Sequence, residues 1–385
     1  MNERDLLMIP GPINFDPGVL RAMSAPTSGH TSPEFVERFG QALEWMRQVF
    51  LAPTGTPFAV AGSGTLAMDM AICNLVEPGD RAVVISTGYF SDRMTAVVER
   101  YGAEVTTLRS GPGETLPVEQ VQAALEAVRP KLFAMTHVDT STGVAIDVPG
   151  LARLARGYNA LVVVDGVCSV AGMELQQDAW GIDVALTASQ KAIGVPPGLA
   201  LLVASPRALE TFRARKKPVP NYYADWANWQ PIMEGYLARK GTYFATPPVN
   251  MIYALHESLR QILAEGLPAR IARHKKMSDA FKAGVQAIGL QQVPTSPDVA
   301  ATTMSAIYFP EGVDARLIGK IRERNVVVAG GIHPLIRDKY FRVGHMGVVG
   351  PADISATLSA IEGALIASGC HFDVGAGLGA AAKML

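Results

Sequence analysis

The chain has 385 residues, more than one hydrophobic core of roughly 250–300 residues holds, which excludes a lone small module. Apolar residues make up 49% and charged residues 18%, below the roughly 25% of an ordinary soluble domain, which excludes global disorder and predicts extensive burial. Thirty-four Lys and Arg against thirty-five Asp and Glu give a formal charge of −1 without a basic block, so no nucleic-acid partner is expected.

The first residues, Met-Asn-Glu-Arg-Asp, lead to Pro10 and Pro12 with no basic region followed by an apolar run, so no secretory leader is expected. Between 60 and 205, short β-branched runs alternate with segments of helical period. Strands are predicted at 81–86, 104–108, 131–136, 161–165, 183–187 and 199–204, and helices at 65–76, 91–101, 116–128, 149–157 and 206–216. Asp80, Gly102 and Pro130 punctuate them. This alternation predicts an α/β domain, a mostly parallel sheet flanked by helices, over 21–248 after an N-terminal segment 1–20. Within it, 214–248 is rich in Pro, Trp, Tyr and Lys without clear period, and a loop of that length is functional or interfacial. A long helical stretch at 249–288 then leads into strand 302–309, helix 314–323, strands 326–329 and 340–343, and helix 352–367, a smaller α+β C-terminal domain over 249–385.

The tail from Gly363 to Ala381 is interrupted by His371, Asp373 and several glycines, so no membrane span is expected. Its last residues, Ala-Lys-Met-Leu, only loosely resemble a peroxisomal address, and a cytoplasmic protein is expected. Cys73, Cys168 and Cys370 are odd in number and lack paired spacing, which fits a reducing compartment and implies no metal.

Leu161-Val-Val-Val-Asp165 is apolar until it closes on a carboxylate, the pattern of a central strand whose end faces a ligand crevice. Asp165 is either a turn or cap residue, or the partner of a cation such as a protonated pyridine nitrogen. Lys191 follows the next strand at the same rim, in a stretch without neighbouring charge. A lysine amine there can join an aldehyde cofactor and relay the α-proton of an amino acid. Ala61-Gly-Ser-Gly-Thr65 precedes a helix and forms an anion cup, an unliganded turn, or the G-x-G-x-x-A of a dinucleotide site. The dinucleotide alternative lacks an acidic residue closing the next strand, which ends in Ser86.

Phe90 can lay an aromatic face over a planar heterocycle or pack in the core. Thr140 belongs to a hydroxyl-rich loop that can bond a phenolic oxygen or form local turns. Arg342 stands inside an apolar strand and calls for a planar carboxylate, from substrate or from the chain.

Together these segments resemble the class V aminotransferases of pyridoxal-phosphate fold type I, and within them alanine-glyoxylate aminotransferases of the yeast and fungal type. The likeness runs from Ile9-Pro-Gly-Pro12 and Gly29-His-Thr-Ser-Pro-Glu-Phe35 through the four segments 61–65, 86–93, 136–142 and 185–194 to Lys240-Gly-Thr-Tyr-Phe-Ala-Thr-Pro-Pro248, Val328-Ala-Gly-Gly-Ile-His333 and Arg342-Val-Gly-His-Met-Gly-Val348. The resemblance implies a fold type I transferase in which Lys191 carries the cofactor and Asp165 meets its pyridine nitrogen. It also implies that Ser63, Gly64, Thr65 and Gln190 hold the phosphate, with Tyr243 and Thr246 arriving from the second subunit of a homodimer. Thr140 would meet the ring substituents and Val167 would pack beneath the ring. Phe90 takes the stacking position, where animal enzymes carry Trp. Arg342 falls on the substrate-carboxylate arginine, and Gly11 lines the substrate pocket.

The reaction implied is transfer of the amino group of L-alanine to glyoxylate by ping-pong kinetics, giving pyruvate and glycine. Serine or another small amino donor is the alternative. A cysteine desulfurase would need Cys370 as its nucleophile, and a nucleotide-dependent dehydrogenase would use the Gly62 loop.

Overall fold

The computed structural model describes residues 5–385. The first four, with the start of the expected N-terminal segment, lie outside the described residues.

The core is a seven-stranded sheet. Its strands are β1 (Thr56–Ala61), β2 (Arg81–Ser86), β3 (Glu104–Arg109), β4 (Leu132–Thr136), β5 (Leu161–Asp165), β6 (Val184–Ala188) and β7 (Leu199–Ala204), in spatial order β1-β7-β6-β5-β4-β2-β3. From β3 to β6 all neighbours are parallel, whereas β7 runs antiparallel to both β6 and β1. The reversal has a local cause, because the connection 189–198 holds no helix and a parallel return needs a crossover of a dozen or more residues. β4, β5, β6 and β7 are buried at every position, as strands covered on both faces must be.

Four elements precede the region where the alternation begins and were not among those expected: strand Leu6–Leu7, helix Pro17–Met23, and two that join the core of the large sheet. One of these two is β1, at the sheet edge. The other is helix α1 (Pro33–Val49), which starts where Ser32 accepts a hydrogen bond from the Phe35 N–H and buries Phe35, Phe39, Leu43 and Met46. Helices α2 (Gly64–Leu75) and α3 (Tyr89–Arg100) follow β1 and β2.

The expected irregular stretch 214–248 contains helix α4 (Trp226–Leu237). Pro231 inside it masks the helical signal, yet Trp226, Trp229, Met233 and Tyr236 fall on one buried face. Buried Asn74 fastens this segment to α2. Its amide donates to Ala224 O at 2.7 Å, and its oxygen accepts from the Trp226 N–H at 2.9 Å.

The stretch 249–288 is two helices rather than one, α5 (Val249–Glu265) and α6 (Leu267–Ala287). Gly266, at φ +82°, breaks the run, and Pro268 in the next turn cannot donate to the preceding helix. α5 packs in the same apolar cluster as the large sheet, while Met277, Phe281 and Val285 of α6 belong to a second cluster.

That second cluster covers an antiparallel sheet of β8 (Met304–Tyr308), β9 (Ala329–Gly330) and the central β10 (Tyr340–Gly344). The expected strand 326–329 is split: Val326–Val327 pairs instead with Leu6–Leu7, tying the N-terminal segment to this unit. Helices α7 (Pro351–Ile366) and α8 (Ala376–Ala382) complete it. The buried Glu362 carboxylate accepts from the Gly375 and Gly377 N–H groups and anchors the Gly- and Ala-rich tail. Among the described residues no helix is long and apolar enough to cross a membrane.

Candidate active site

Strand ends place the chemistry. β1, β2, β4, β5 and β6 all finish at one rim, and the residues just beyond them converge on a cavity of about 240 Å³. Gly11, Ser63, Gly64, Thr65, Phe90, Thr140, Asp165, Val167, Gln190 and Lys191 line it, together with Met68, Arg93 and Val138. Arg342 reaches the same place from β10 through a bond to Thr140. Tyr243 and Thr246 do not join them. Both are exposed, and the Tyr243 ring lies 5.2 Å from that of His30.

Asp165 closes β5 with only 2% of its surface exposed. Its Oδ1 accepts from the Val167 N–H at 2.8 Å, which sets the carboxylate direction. Burial pushes this acid up to about 7 and the Asp139 charge adds to the rise, while the Val167 N–H and the Lys191 charge oppose it.

The Lys191 side chain is buried and its amine donates to the Pro10 carbonyl. Burial favours the uncharged amine and pulls its pKa down, with Arg342 pressing the same way. A buried neutral amine is a nucleophile toward an aldehyde and a base toward an acidic C–H.

Gly11 explains how the lysine is aimed. It sits at φ +106°, and a Cβ there would lie 2.6 Å from Lys191 Cδ and 2.9 Å from Nζ. Gly11→Ala should therefore displace the amine and lower kcat by about 100-fold, the scale of a 1 Å misplacement. Steady-state rates on the folded variant check this, with a lowered unfolding midpoint expected from alanine at positive φ.

No side chain caps the start of α2, so its first-turn N–H groups remain available beside Ser63, Gly64 and Thr65. A Cβ at Gly64 would come within 3.0 Å of Val167 and 3.2 Å of Ala188, so the turn is held close to the strand end by the absence of a side chain. The side-chain oxygen of Gln190 is buried and has no partner among the described residues, and the amide NH2 of the same side chain is the end that can donate to an anion. The free N–H groups and close turn are the features of an anion cup.

On the far wall, Arg342 Nε donates to Gly330 O at 2.8 Å and Nη1 to Thr140 O at 3.1 Å. Among the described residues it makes no ion pair with a carboxylate. Burial holds the guanidinium below its ordinary pKa, a cost that a bound anion removes.

Asp139 was not singled out from sequence, yet it organises this wall. Fully buried, it accepts from the Phe90 and Ser91 N–H groups, the Ser91 hydroxyl, and the Ser141 N–H and hydroxyl, at 2.6–3.1 Å. It thereby caps α3 and fixes Phe90. Tyr340 then links the wall to β10, its hydroxyl donating to Ser141 O and accepting from the Ile332 and His333 N–H groups. The sequence signal was present, an acid just past a strand end, but nothing in the spacing names its five donors.

The sequence profile of the family "Aminotransferase class-V" matches residues 22–346. Alanine–glyoxylate aminotransferase 1 of Saccharomyces cerevisiae is 41% identical over 89% of this chain and 92% of its own length. L-Aspartate–glyoxylate aminotransferase of Paracoccus denitrificans is 33% identical over 99% and 96%. The crystal structure of ureidoglycine-glyoxylate aminotransferase from Bacillus subtilis superposes with a TM-score of 0.92 at 28% identity, over 100% of this chain and 98% of that one.

Proposed function

Since the chain belongs to the class V aminotransferases, we propose that it moves the amino group of L-alanine onto glyoxylate, releasing pyruvate and glycine. It is a pyridoxal-phosphate-dependent transaminase of fold type I. The residues present fit that cofactor: an uncapped helix start held against the strand end at Gly64 for the phosphate end, a buried amine for the aldehyde, and a buried acid for the ring nitrogen.

Bound pyridoxal phosphate supplies an electron-poor ring that takes up the charge left when a substrate α-proton departs. Lys191 would hold the cofactor through its aldehyde, and its amine, once free, would move the substrate α-proton. Asp165, buried at the end of β5, would pair with the ring nitrogen and keep a proton on it. Phe90 and Val167, which both line the cavity, would pack against the ring. Thr140 holds its hydroxyl near the ring substituents. Ser63, Gly64, Thr65 and Gln190 grip the phosphate, and Tyr243 and Thr246 reach the phosphate of the partner subunit in a homodimer, which accounts for their standing exposed outside their own cavity.

The observation that carries the substrate reading is Arg342, a buried guanidinium held by two carbonyls and paired with no acid among the described residues. An α-carboxylate bound there is common to amino donor and oxo acceptor, so one clamp serves both half-reactions in turn. The three relatives differ in the donor they are named for and agree in glyoxylate. Alanine is preferred on the fungal-type likeness, with serine as the second donor to measure.

A panel of alanine, serine and aspartate against glyoxylate, pyruvate and 2-oxoglutarate tests this, with parallel-line kinetics expected for alanine and glyoxylate. Strong activity with 2-oxoglutarate and none with glyoxylate would refute the assignment.

A further inference from the structure

Arg93 lines the cavity from α3, one turn beyond Phe90, and belongs to no role given so far. Its Nη1 donates to Thr65 Oγ1 at 2.9 Å, and its guanidinium carbon lies 5.0 Å from the centre of the Phe90 ring and 5.3 Å from that of Tyr89. Neighbouring Asp92 pairs with Arg109 instead, and among the described residues Arg93 meets no carboxylate at ion-pair distance. A guanidinium has five N–H donors, and a single bond to Thr65 leaves most of them free.

The charge in the cavity is unbalanced in a way that gives this residue a task. A phosphate monoester carries about −1.5 to −2 at neutral pH, and a helix start offers roughly half a positive charge. Among the described lining residues the other basic side chain is Lys191, whose amine is turned to the Pro10 carbonyl. Arg93 is thus the lining side chain that brings a positive charge directly beside the Ser63–Thr65 turn, through its bond to Thr65. Because the Thr65 oxygen already accepts from Arg93, its hydroxyl proton is free to point elsewhere, toward the cup.

We propose that Arg93 is a phosphate-holding residue of the cofactor site, closing the anion cup while its guanidinium backs the Phe90 ring. The proposal rests on the reading of Ser63–Thr65 as that cup.

The test compares two probes on the full chain resolved from its cofactor: pyridoxal 5′-phosphate and pyridoxal, which lacks the phosphate, each followed by tryptophan quenching. Arg93→Met keeps a long apolar side chain beside Phe90 and removes the charge. It should weaken pyridoxal 5′-phosphate about ten- to a hundredfold, the scale of a charge-assisted hydrogen bond, and pyridoxal by less than about twofold. Arg93→Lys, which keeps the charge and loses the fork, should recover part of the loss. Equal affinity of Arg93→Met and wild type for pyridoxal 5′-phosphate would overturn the proposal, as would an equal loss for both probes, which would leave Arg93 only a support for the stacking ring. A wild-type chain without preference for the phosphorylated probe would overturn the cup itself. None of these outcomes depends on which amino donor the enzyme uses.

Discussion

Lys191→Ala should lower turnover by at least about 10⁴-fold while leaving a folded chain that still binds pyridoxal phosphate. Two functions end together. The covalent hold on the aldehyde goes, and so does the base that moves the α-proton, whose removal alone costs about 10²–10⁴-fold. The phosphate cup and Asp165 are untouched, so the cofactor should bind without becoming covalently attached, and borohydride reduction followed by mass spectrometry should find no modified lysine. Folding should not suffer. Burial already disfavours the lysine ammonium, so its loss relieves a desolvation cost, and the unfolding midpoint of the cofactor-free variant should equal or exceed that of wild type. Wild-type turnover by this variant would remove the basis of the proposed chemistry.

Asp165→Asn should come next, with kcat lower by roughly 10²–10³-fold, the scale of losing one preorganised electrostatic group. Asparagine is nearly isosteric and can keep the 2.8 Å bond from the Val167 N–H, so what disappears is the charge rather than the loop geometry. A pH series separates the two. Burial raises this acid from 3.8 to about 7, so in that interval the folded chain binds a proton that the unfolded chain does not. Stability of the cofactor-free wild type contributed by this group is present below pH 4, falls as the pH rises toward 7, and is flat above. The asparagine variant lacks that titration, so its stability relative to wild type should rise with pH between about 4 and 7. Parallel stability curves for the two proteins over that range would show that Asp165 is not buried as described.

The strands were legible because burial on both faces writes itself into composition: Leu161–Val164 and Leu199–Val203 are apolar runs with no alternation, and their lengths suit strands. Lys191 and Asp165 stood out for the converse reason, as ionisable groups where such runs end. α4 was lost because Pro231 interrupts its pattern, and α1 because it precedes the alternation that organised the reading. Gly266 was in view, but a lone glycine inside a helical period is tolerated as often as it terminates, and its positive φ is a property of the folded chain.

By itself the sequence determined the layered α/β class, the position of the reactive amine and buried acid at strand ends, and, through the length of its matching segments, the family. Local chemistry carries those signals, since each depends on a residue and its near neighbours. Only the tertiary structure decided that β7 reverses, that Gly11 borders Lys191 from 180 positions away, and that Asp139 gathers donors from the start of α3 and from Ser141. Arg93, too, became meaningful only when α3 set it beside Thr65. Those relations are distances between segments remote in the chain, and one-dimensional periodicity holds no information about them until the sheet has been assembled.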